Sequence, residues 1–350
     1  MPALTPELEL RTSPHLHTQR SVVSIMRNVV LALLPVCAYS VWLFGISALA
    51  LIVTATASCL AAEHLFCRIA SRESSIGDYS IAITGLLLGL TLPPAFPLWM
   101  TAVGGFVAVG LGKMLFGGLG FNAFNPALVG RAFLQAAFPV TISSYSPAMA
   151  EGRFHEFIPS TLTLPFLQAP ILTEWTARVR VDAFSGATPL MLQKFDRVST
   201  ELGPLLLGQV SGSAGETSAL LILLCGLYLI ARNMMDWRIP CAMLMSAAVL
   251  SAAFHAADPT RYPSAAFMVF SGGLMLGAVF MASDMVASPV TPAGVWIYGG
   301  LMGTLTVLIR LKGGLPEGVM YAILLGNAAS PLIDNLTQPR IYGAGGKARP

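Results

Sequence analysis

The sequence predicts an all-α polytopic membrane protein with about ten transmembrane helices, arranged as two inverted five-helix repeats with one long extracytoplasmic loop. Three observations predict it: apolar stretches recur along the chain, short glycine motifs occur in both halves, and charged residues are scarce. The chain is 55% hydrophobic and only 11% charged, whereas soluble domains carry about 25% charged residues. So few charges cannot cover a water-facing surface. The small net charge of +3 and the scattered basic residues predict no nucleic-acid partner.

The apolar stretches are ten in number. They cover approximately Val29–Phe44, Ile46–Phe66, Tyr79–Leu92, Leu98–Gly112, Pro126–Phe138, Ser218–Ala231, Ile239–His255, Ala265–Ala282, Gly294–Ile309 and Gly318–Ile333. A full span needs about 20 residues, so the shorter stretches must recruit flanking residues or be broken helices. Pro93-Pro94 and Asn125-Pro126 punctuate the two shortest stretches. Such interrupted segments are typical of a site near the bilayer midplane.

Lysines and arginines outside the long loop concentrate on the side of the N-terminus. The opposite side receives only Arg261, Arg310 and Lys312 in its short loops. Because cytoplasmic loops carry the excess of basic residues, both termini are predicted to be cytoplasmic and the long loop to lie outside the cytoplasm. The predicted divisions are a cytoplasmic tail (1–28), a first membrane half (29–138), an extracytoplasmic loop (139–216), a second membrane half (217–334) and a cytoplasmic tail (335–350).

The two halves resemble each other in short motifs. The pairs are Gly85–Gly89 with Gly273–Gly277, Gly117–Leu119 with Gly313–Leu315, and Pro126 with Pro331. Each half has five spans, an odd number, so a duplicated half would be inverted in the membrane. The glycines at i and i+4 also indicate close helix packing.

The sequence lacks several common cofactor motifs. No P-loop and no dinucleotide fingerprint is present, so the chain is not expected to bind NAD itself. The cysteines lie in or beside apolar stretches, and none forms a C-x-x-C pair. We therefore expect neither a disulfide framework nor an iron–sulfur site built by this chain alone.

The run Asp182-Ala183-Phe184-Ser185-Gly186-Ala187-Thr188 lies in the long loop. It resembles the site at which a flavin transferase esterifies the phosphate of FMN onto a threonine hydroxyl. Ser185, Gly186 and Ala187 are small enough to let a bulky flavin approach, and Asp182 could hold the metal or loop geometry that the transferase needs. A purely structural reading is a helix start, with Thr188 as N-cap and Pro189 as the first helical residue. Both readings can hold together.

A second motif runs from Gly117 to Arg131. Its glycines let the backbone approach a ligand closely, and Asn122 and Asn125 offer amide donors and acceptors suited to the edge of a flavin ring. Capping of a helix that begins at Pro126 explains Asn125 but not Asn122. Arg131 lies within an apolar stretch, where a charge is costly. It could bind an anion, a flavin or a neighbouring subunit, or extend to the membrane interface.

Two carboxylates, Asp284 and Asp334, lie at the ends of the eighth and tenth stretches. Carboxylates beside broken helices could belong to a cation path. Water-facing helix ends are the alternative reading, and the same holds for Glu63 at the end of the second stretch.

With these residues in view, nearly the whole chain resembles the D subunits of the Rnf complex, the ion-translocating ferredoxin:NAD+ oxidoreductase. It is also similar to the B subunits of the sodium-translocating NADH:quinone reductase. The resemblance rests on Asp182–Thr188, on Gly117–Arg131, on the stretch around Asp284, and on Gly313–Pro316 through Asn327, Pro331 and Asp334. Ala183 departs from the glycine expected there.

The resemblance implies FMN bound covalently to Thr188 through a phosphoester. It further implies that Asn122 and Asn125 contact a second, non-covalent riboflavin and that Asp284 and Asp334 touch the ion path. Implied partners are the other Rnf subunits: iron–sulfur and NADH-binding proteins, two membrane subunits and a second flavin-carrying subunit, with a flavin transferase for maturation. The chain would be one subunit of an ion-translocating oxidoreductase and a flavoprotein of electron transport. A redox-free solute channel or secondary transporter is the competing class, because inverted halves with broken helices suit a pore equally well.

Overall fold

The computed structural model describes residues 21–71, 75–165, 167, 187–216 and 218–339, and every regular element in these ranges is a helix. Each of the ten apolar stretches contains a helix. These are α1 Val22–Phe44, α2 Ile46–Ile69, α3 Ser80–Thr91, α4 Leu98–Val109, α5 Pro126–Ala137, α6 Ala219–Ala231, α7 Arg238–Ala257, the broken α8 with arms Ala265–Phe270 and Leu274–Leu276, α9 Pro292–Lys312 and α10 Val319–Thr337. Single π-helical turns extend α4 over Gly110–Met114 and α8 over Gly277–Met281.

Four helices, α1, α2, α7 and α9, are long and apolar enough to cross a membrane. Helices α3, α4 and α6 are apolar but shorter. The all-helical fold and these four helices support the predicted membrane protein. The number of spans and the inverted repeat stay predictions.

Helix starts follow the capping chemistry of the sequence. Asn125 caps α5, with its side chain accepting from the amides of Ala127 and Leu128, and Pro126 is the first helical residue. Pro331, by contrast, lies inside α10. The expectation that Pro126 and Pro331 occupy comparable places is therefore wrong, because one begins a helix and the other interrupts one.

Three of the four glycines that the sequence paired bring helices close together. A Cβ added at Gly85 would lie 2.5 Å from the Thr56 Cα of α2, and one at Gly89 would lie 2.9 Å from the Ile52 Cα. In the second half, a Cβ on Gly277 would meet the Val319 side chain at the start of α10, whereas one on Gly273 would meet nothing within 4 Å, so the prediction is wrong at Gly273. These contacts confirm close packing of α3 on α2.

Helix α8 breaks at Ser271–Gly273, where Gly272 has a φ of +64°. Arg310 of α9 crosses to this break. Its guanidinium donates to the carbonyl of Met268 at 2.7 Å and to that of Ser271 at 3.1 Å. The break therefore replaces helical hydrogen bonds with bonds from a buried side chain.

The described part of the long loop folds against one end of the bundle. The backbone amide of Ile158 donates to the Ser47 hydroxyl, and the Ser160 hydroxyl donates to the Ala95 carbonyl. The Arg153 carbonyl accepts from the first amide of α2, next to Gly45, which has a φ of +74°. A side chain at Gly45 would collide with that carbonyl.

Candidate functional site

Two cavities lie where elements of the two halves meet. The first, here named the asparagine cavity, has a water-accessible volume of about 100 Å³. Its polar lining residues are Ser80, Thr84, Lys113, Asn122, Asn125, Ser283 and Asp284. Its remaining walls are mostly apolar side chains of α1, α3, α6 and the π turn of α8. A largely apolar cleft with a few polar groups is the usual form of a small-molecule site.

The structure brings Asn122 and Asn125 together in this cavity, and both are buried. Asn125 uses its oxygen as the N-cap of α5, while its amide nitrogen lies 3.4 Å from the Met281 carbonyl. The amide nitrogen of Asn122 donates to the Phe124 carbonyl at 3.2 Å. Asn122 is also close enough to the carboxylate of Asp284 to interact with it. Three residues singled out in the sequence therefore share one cavity.

Asp334 lies elsewhere. Its carboxylate accepts from the backbone amides of Val290 and Thr291 and from the Thr291 hydroxyl. It thereby fixes the turn that begins α9, and it is not among the residues that line the asparagine cavity.

A buried ion pair stands beside this cavity. The Lys113 ammonium lies 3.2 Å from both carboxylate oxygens of Glu63 and donates to the hydroxyls of Ser75 and Ser80 at 3.0 Å. The Glu63 carboxylate also accepts from Ser75. Glu63 is fully buried, so it is not a water-facing helix end.

The second cavity, here named the glutamate cavity, carries more charge. It is lined by Thr91, Leu128, Arg131, Ser213, Glu216, Gly273, Leu276, Met281, Glu317, Val319 and Met320. Arg131 is 7% exposed, so its side chain is enclosed by protein, and its Nε has no hydrogen-bond partner among the described residues. Met281 faces this cavity and also accepts from Asn125, so the first turn of α5 separates the two cavities.

An ion pair closes one side of the glutamate cavity. Arg310 donates to Glu317 at 2.9 Å, and the second oxygen of Glu317 accepts from the Gly273 amide at 3.1 Å. Glu216 accepts from the Ser213 hydroxyl at 2.6 Å. Two arginines and two carboxylates are therefore clustered in and beside this cavity.

Thr188 caps a short helix next to this charged group. Its hydroxyl accepts from the Met191 amide at 3.3 Å, as the helix-start reading predicted, and the residue is 5% exposed. Leu190 packs at the α8 break, 2.6 Å from the position of a Cβ on Gly272. Lys194 anchors the same segment by donating to the carbonyls of Gly313 and Leu315 at 2.5 and 2.8 Å.

Of the seven-residue run, Ala187 and Thr188 are described. Asp182, Ser185 and Gly186 lie outside the described residues. Sequence reasoning missed Lys113, Glu216, Arg310 and Glu317 as site residues. Their signal was weak, since each lies next to an apolar stretch and reads as an ordinary charge at a helix end.

Comparisons of the sequence with known proteins identify the family of this chain. The sequence matches the model of the NQR2, RnfD, RnfE family over residues 9–343. It is 39% identical over 344 residues to the D subunit of the proton-translocating ferredoxin:NAD(+) oxidoreductase complex of Clostridium ljungdahlii, covering 95% of this chain and 96% of the relative. It is 38% identical to the D subunit of the ion-translocating oxidoreductase complex of Halorhodospira halophila, covering 96% and 95%.

A further relative is the D subunit of the Na(+)-translocating ferredoxin:NAD(+) oxidoreductase complex of Acetobacterium woodii. It is 38% identical, again over 96% of this chain and 95% of the relative. The proton-translocating and sodium-translocating relatives are thus almost equally similar, so overall identity does not select an ion. A family match over nearly the whole chain and relatives of this identity show that the chain belongs to the NQR2, RnfD, RnfE family.

Proposed function

We propose that this chain is a subunit of the D type in an ion-translocating ferredoxin:NAD+ oxidoreductase complex, and that it relays electrons through FMN bound covalently to Thr188. Full-length membership of the family carries the first part of the proposal. The run Asp182–Thr188 carries the second. Bound flavin supplies the redox chemistry, while the protein supplies position and electrostatics.

The surroundings of Thr188 fit such a role. Lys194 and Leu190 hold the segment against the α8 break and the connection between α9 and α10. An anchored threonine keeps an attached group at a fixed distance from its electron donors and acceptors. Because Thr188 is buried, the transferase must act while this segment is undocked.

The asparagine cavity supports a second, non-covalent riboflavin. Its mixture of apolar walls with a few polar groups is the usual lining of a small-molecule site. Asn122 and Asn125 would present amide groups to the ring edge. Asp284 joins the same cavity, so the cation path proposed for Asp284 would begin beside this ligand.

In the cell, we place the chain in the bacterial inner membrane as two inverted halves of five spans, with cytoplasmic termini and a periplasmic long loop. Partners would be the iron–sulfur and NADH-binding subunits, two membrane subunits and a second flavin-carrying subunit, with a flavin transferase for maturation.

The test is in-gel flavin fluorescence of the denatured chain, expressed together with a flavin transferase. We expect fluorescence for the wild type and for Thr188→Ser, and none for Thr188→Ala. Thr188→Asn is the matched control, because asparagine caps helices well but offers no hydroxyl to esterify. A folded Thr188→Asn chain without fluorescence separates flavin attachment from capping.

A wild-type chain that shows no in-gel flavin fluorescence after expression with an active transferase would contradict the proposal. It would favour the competing channel or secondary transporter, which has no need of a flavin acceptor. Fluorescence that persists in Thr188→Asn would place the flavin on another residue.

A further inference from the structure

The glutamate cavity is smaller than the asparagine cavity and is large enough for water. Its water-accessible volume is about 30 Å³, and one water needs roughly 10–15 Å³ of such space. Its polar lining consists of Thr91, Arg131, Ser213, Glu216 and Glu317. The cavity can therefore hold one or two waters against two carboxylates and a guanidinium.

The two carboxylates of the cavity differ in their partners. Both oxygens of Glu317 are engaged, one by Arg310 and the other by the Gly273 amide. The hydrogen bond that Glu216 accepts comes from the neutral hydroxyl of Ser213. The Nε of Arg131 is buried without a hydrogen-bond partner in the described part of the chain. Glu216 is thus the carboxylate that lacks a bonded arginine.

Because of this difference, the carboxylates of Glu216 and Glu317 differ in proton affinity. Burial, and then the charge of Glu317, raise the pKa of Glu216 above its ordinary value. Burial alone would also raise the pKa of Glu317, but the Arg310 guanidinium and the Gly273 amide hold it below its usual range. A proton that enters the cavity is therefore bound by Glu216.

The cavity adjoins the segment that carries Thr188. A Cβ on Gly272 would meet the Glu317 carboxylate on one side and Leu190 on the other. Leu190 is two residues from Thr188. A change of charge on a group attached to Thr188 would thus act on Glu216 across buried protein, where charges interact more strongly than in water.

We propose that Glu216 is a proton-binding group that compensates charge when the flavin is reduced. The inference rests on the proposed attachment of FMN to Thr188. One electron, delivered by the donor subunits of the complex, adds one negative charge to the flavin. One proton from extracytoplasmic water forms an O–H bond on the Glu216 carboxylate and leaves again when the electron moves on. The summed charge of the flavin and Glu216 therefore stays constant.

Several charged or titratable groups surround Glu216 and influence its protonation. Arg131 faces it from α5, Arg310 from α9 and Glu317 from the connection between α9 and α10, and Tyr145 of the loop is close enough to interact with Glu216. Glu317 stays ionised through its bond to Arg310, and burial raises the pKa of the Tyr145 phenol. Glu216 is therefore the group expected to change protonation near neutral pH.

The experiment is a redox titration of the Thr188 flavin in the purified, assembled complex at a series of pH values. One proton per electron shifts the equilibrium constant tenfold per pH unit, which is 59 mV for a one-electron couple. We expect this dependence in the wild type, its loss in Glu216→Gln and its return in Glu216→Asp. Glu201→Gln removes an exposed carboxylate from the same loop and should keep the dependence.

A second readout identifies the carboxyl group directly. Infrared difference spectra between oxidised and reduced complex should contain the carbonyl band of a protonated carboxylic acid, absent in Glu216→Gln. If that variant does not assemble, a wild-type complex with a pH-independent midpoint and no such band overturns the inference.

Equal pH dependence in wild type and Glu216→Gln would also overturn it, because the proton would then bind elsewhere. Failure of the proposed function is recognised separately. A chain without in-gel fluorescence overturns the covalent flavin and this inference together, whereas a fluorescent chain with a pH-independent midpoint overturns the inference alone.

Discussion

At the scale of single residues, the ion pair between Lys113 and Glu63 carries a high desolvation cost. Both side chains are almost completely buried, at 4% and 0% exposure. Removing two charges from water is costly, and the cost is recovered only when hydrogen bonds satisfy the remaining groups. The hydroxyls of Ser75 and Ser80 provide those bonds. The pair is therefore stable as a unit and vulnerable when one member is lost.

This vulnerability gives a prediction. Lys113→Met leaves the Glu63 carboxylate buried without a cation, which is expected to lower stability by about 3–5 kcal/mol. The double variant Glu63→Gln with Lys113→Met should recover most of the loss, because no unpaired charge remains. Thermal unfolding in detergent measures both. A single variant as stable as the wild type would contradict a buried ion pair between these two residues.

At the scale of helices, the glycine contacts determine how closely α3 approaches α2. A Cβ at Gly85 would fall 2.5 Å from a backbone atom of Thr56, and backbone cannot move aside cheaply. Gly300 in α9 is the natural comparison, since a Cβ there meets nothing within 4 Å. Both positions are glycines within helices, but Gly85 is tightly packed against a neighbouring helix and Gly300 is not.

We therefore expect Gly85→Ala to destabilise the chain by about 1–3 kcal/mol through overpacking. Gly300→Ala should be neutral or slightly stabilising, because alanine favours helices over glycine by up to about 1 kcal/mol. Denaturation of the two variants side by side provides the measurement. Equal stabilities would show that α2 and α3 are not packed as closely as described.

Sequence reasoning succeeded best for helices and their caps. Periodic apolar runs and the Asn125-Pro126 and Thr188-Pro189 pairs are local signals, and the helices begin at these pairs. The shared cavity of Asn122, Asn125 and Asp284 could be expected only through the family resemblance. The bond between Lys113 and Glu63, fifty residues apart, could not be predicted from a single sequence, because no local pattern specifies which distant charges meet.

At the scale of the whole molecule, elements of both halves contribute to each cavity. Asn122 and Asn125 from the first half face Asp284 and Ser283 from the second across the asparagine cavity. The proposed non-covalent flavin would therefore bind between the halves, and the proposed covalent flavin would lie beside the glutamate cavity. Separate sites allow the two flavins to be tested separately.

Accordingly, Asn122→Leu should reduce the flavin that is released from the purified chain by denaturation, because the apolar side chain cannot hydrogen-bond the ring edge. Covalent in-gel fluorescence should be unchanged. Asn335→Leu makes the same replacement at an exposed position and should alter neither signal. Undiminished release from a folded Asn122→Leu chain would contradict a flavin at this asparagine.

The break in α8 has a consequence for motion. Side chains from outside α8 bridge this break. Arg310 donates to the carbonyls of Met268 and Ser271, and Glu317 accepts from the amide of Gly273. Bending at Gly272 would rupture these bonds inside the bundle, where water cannot replace them. The two arms and the start of α10 should move as one rigid body. That rigidity suits a carrier of electrons, whose distances must stay constant, better than an alternating-access pump.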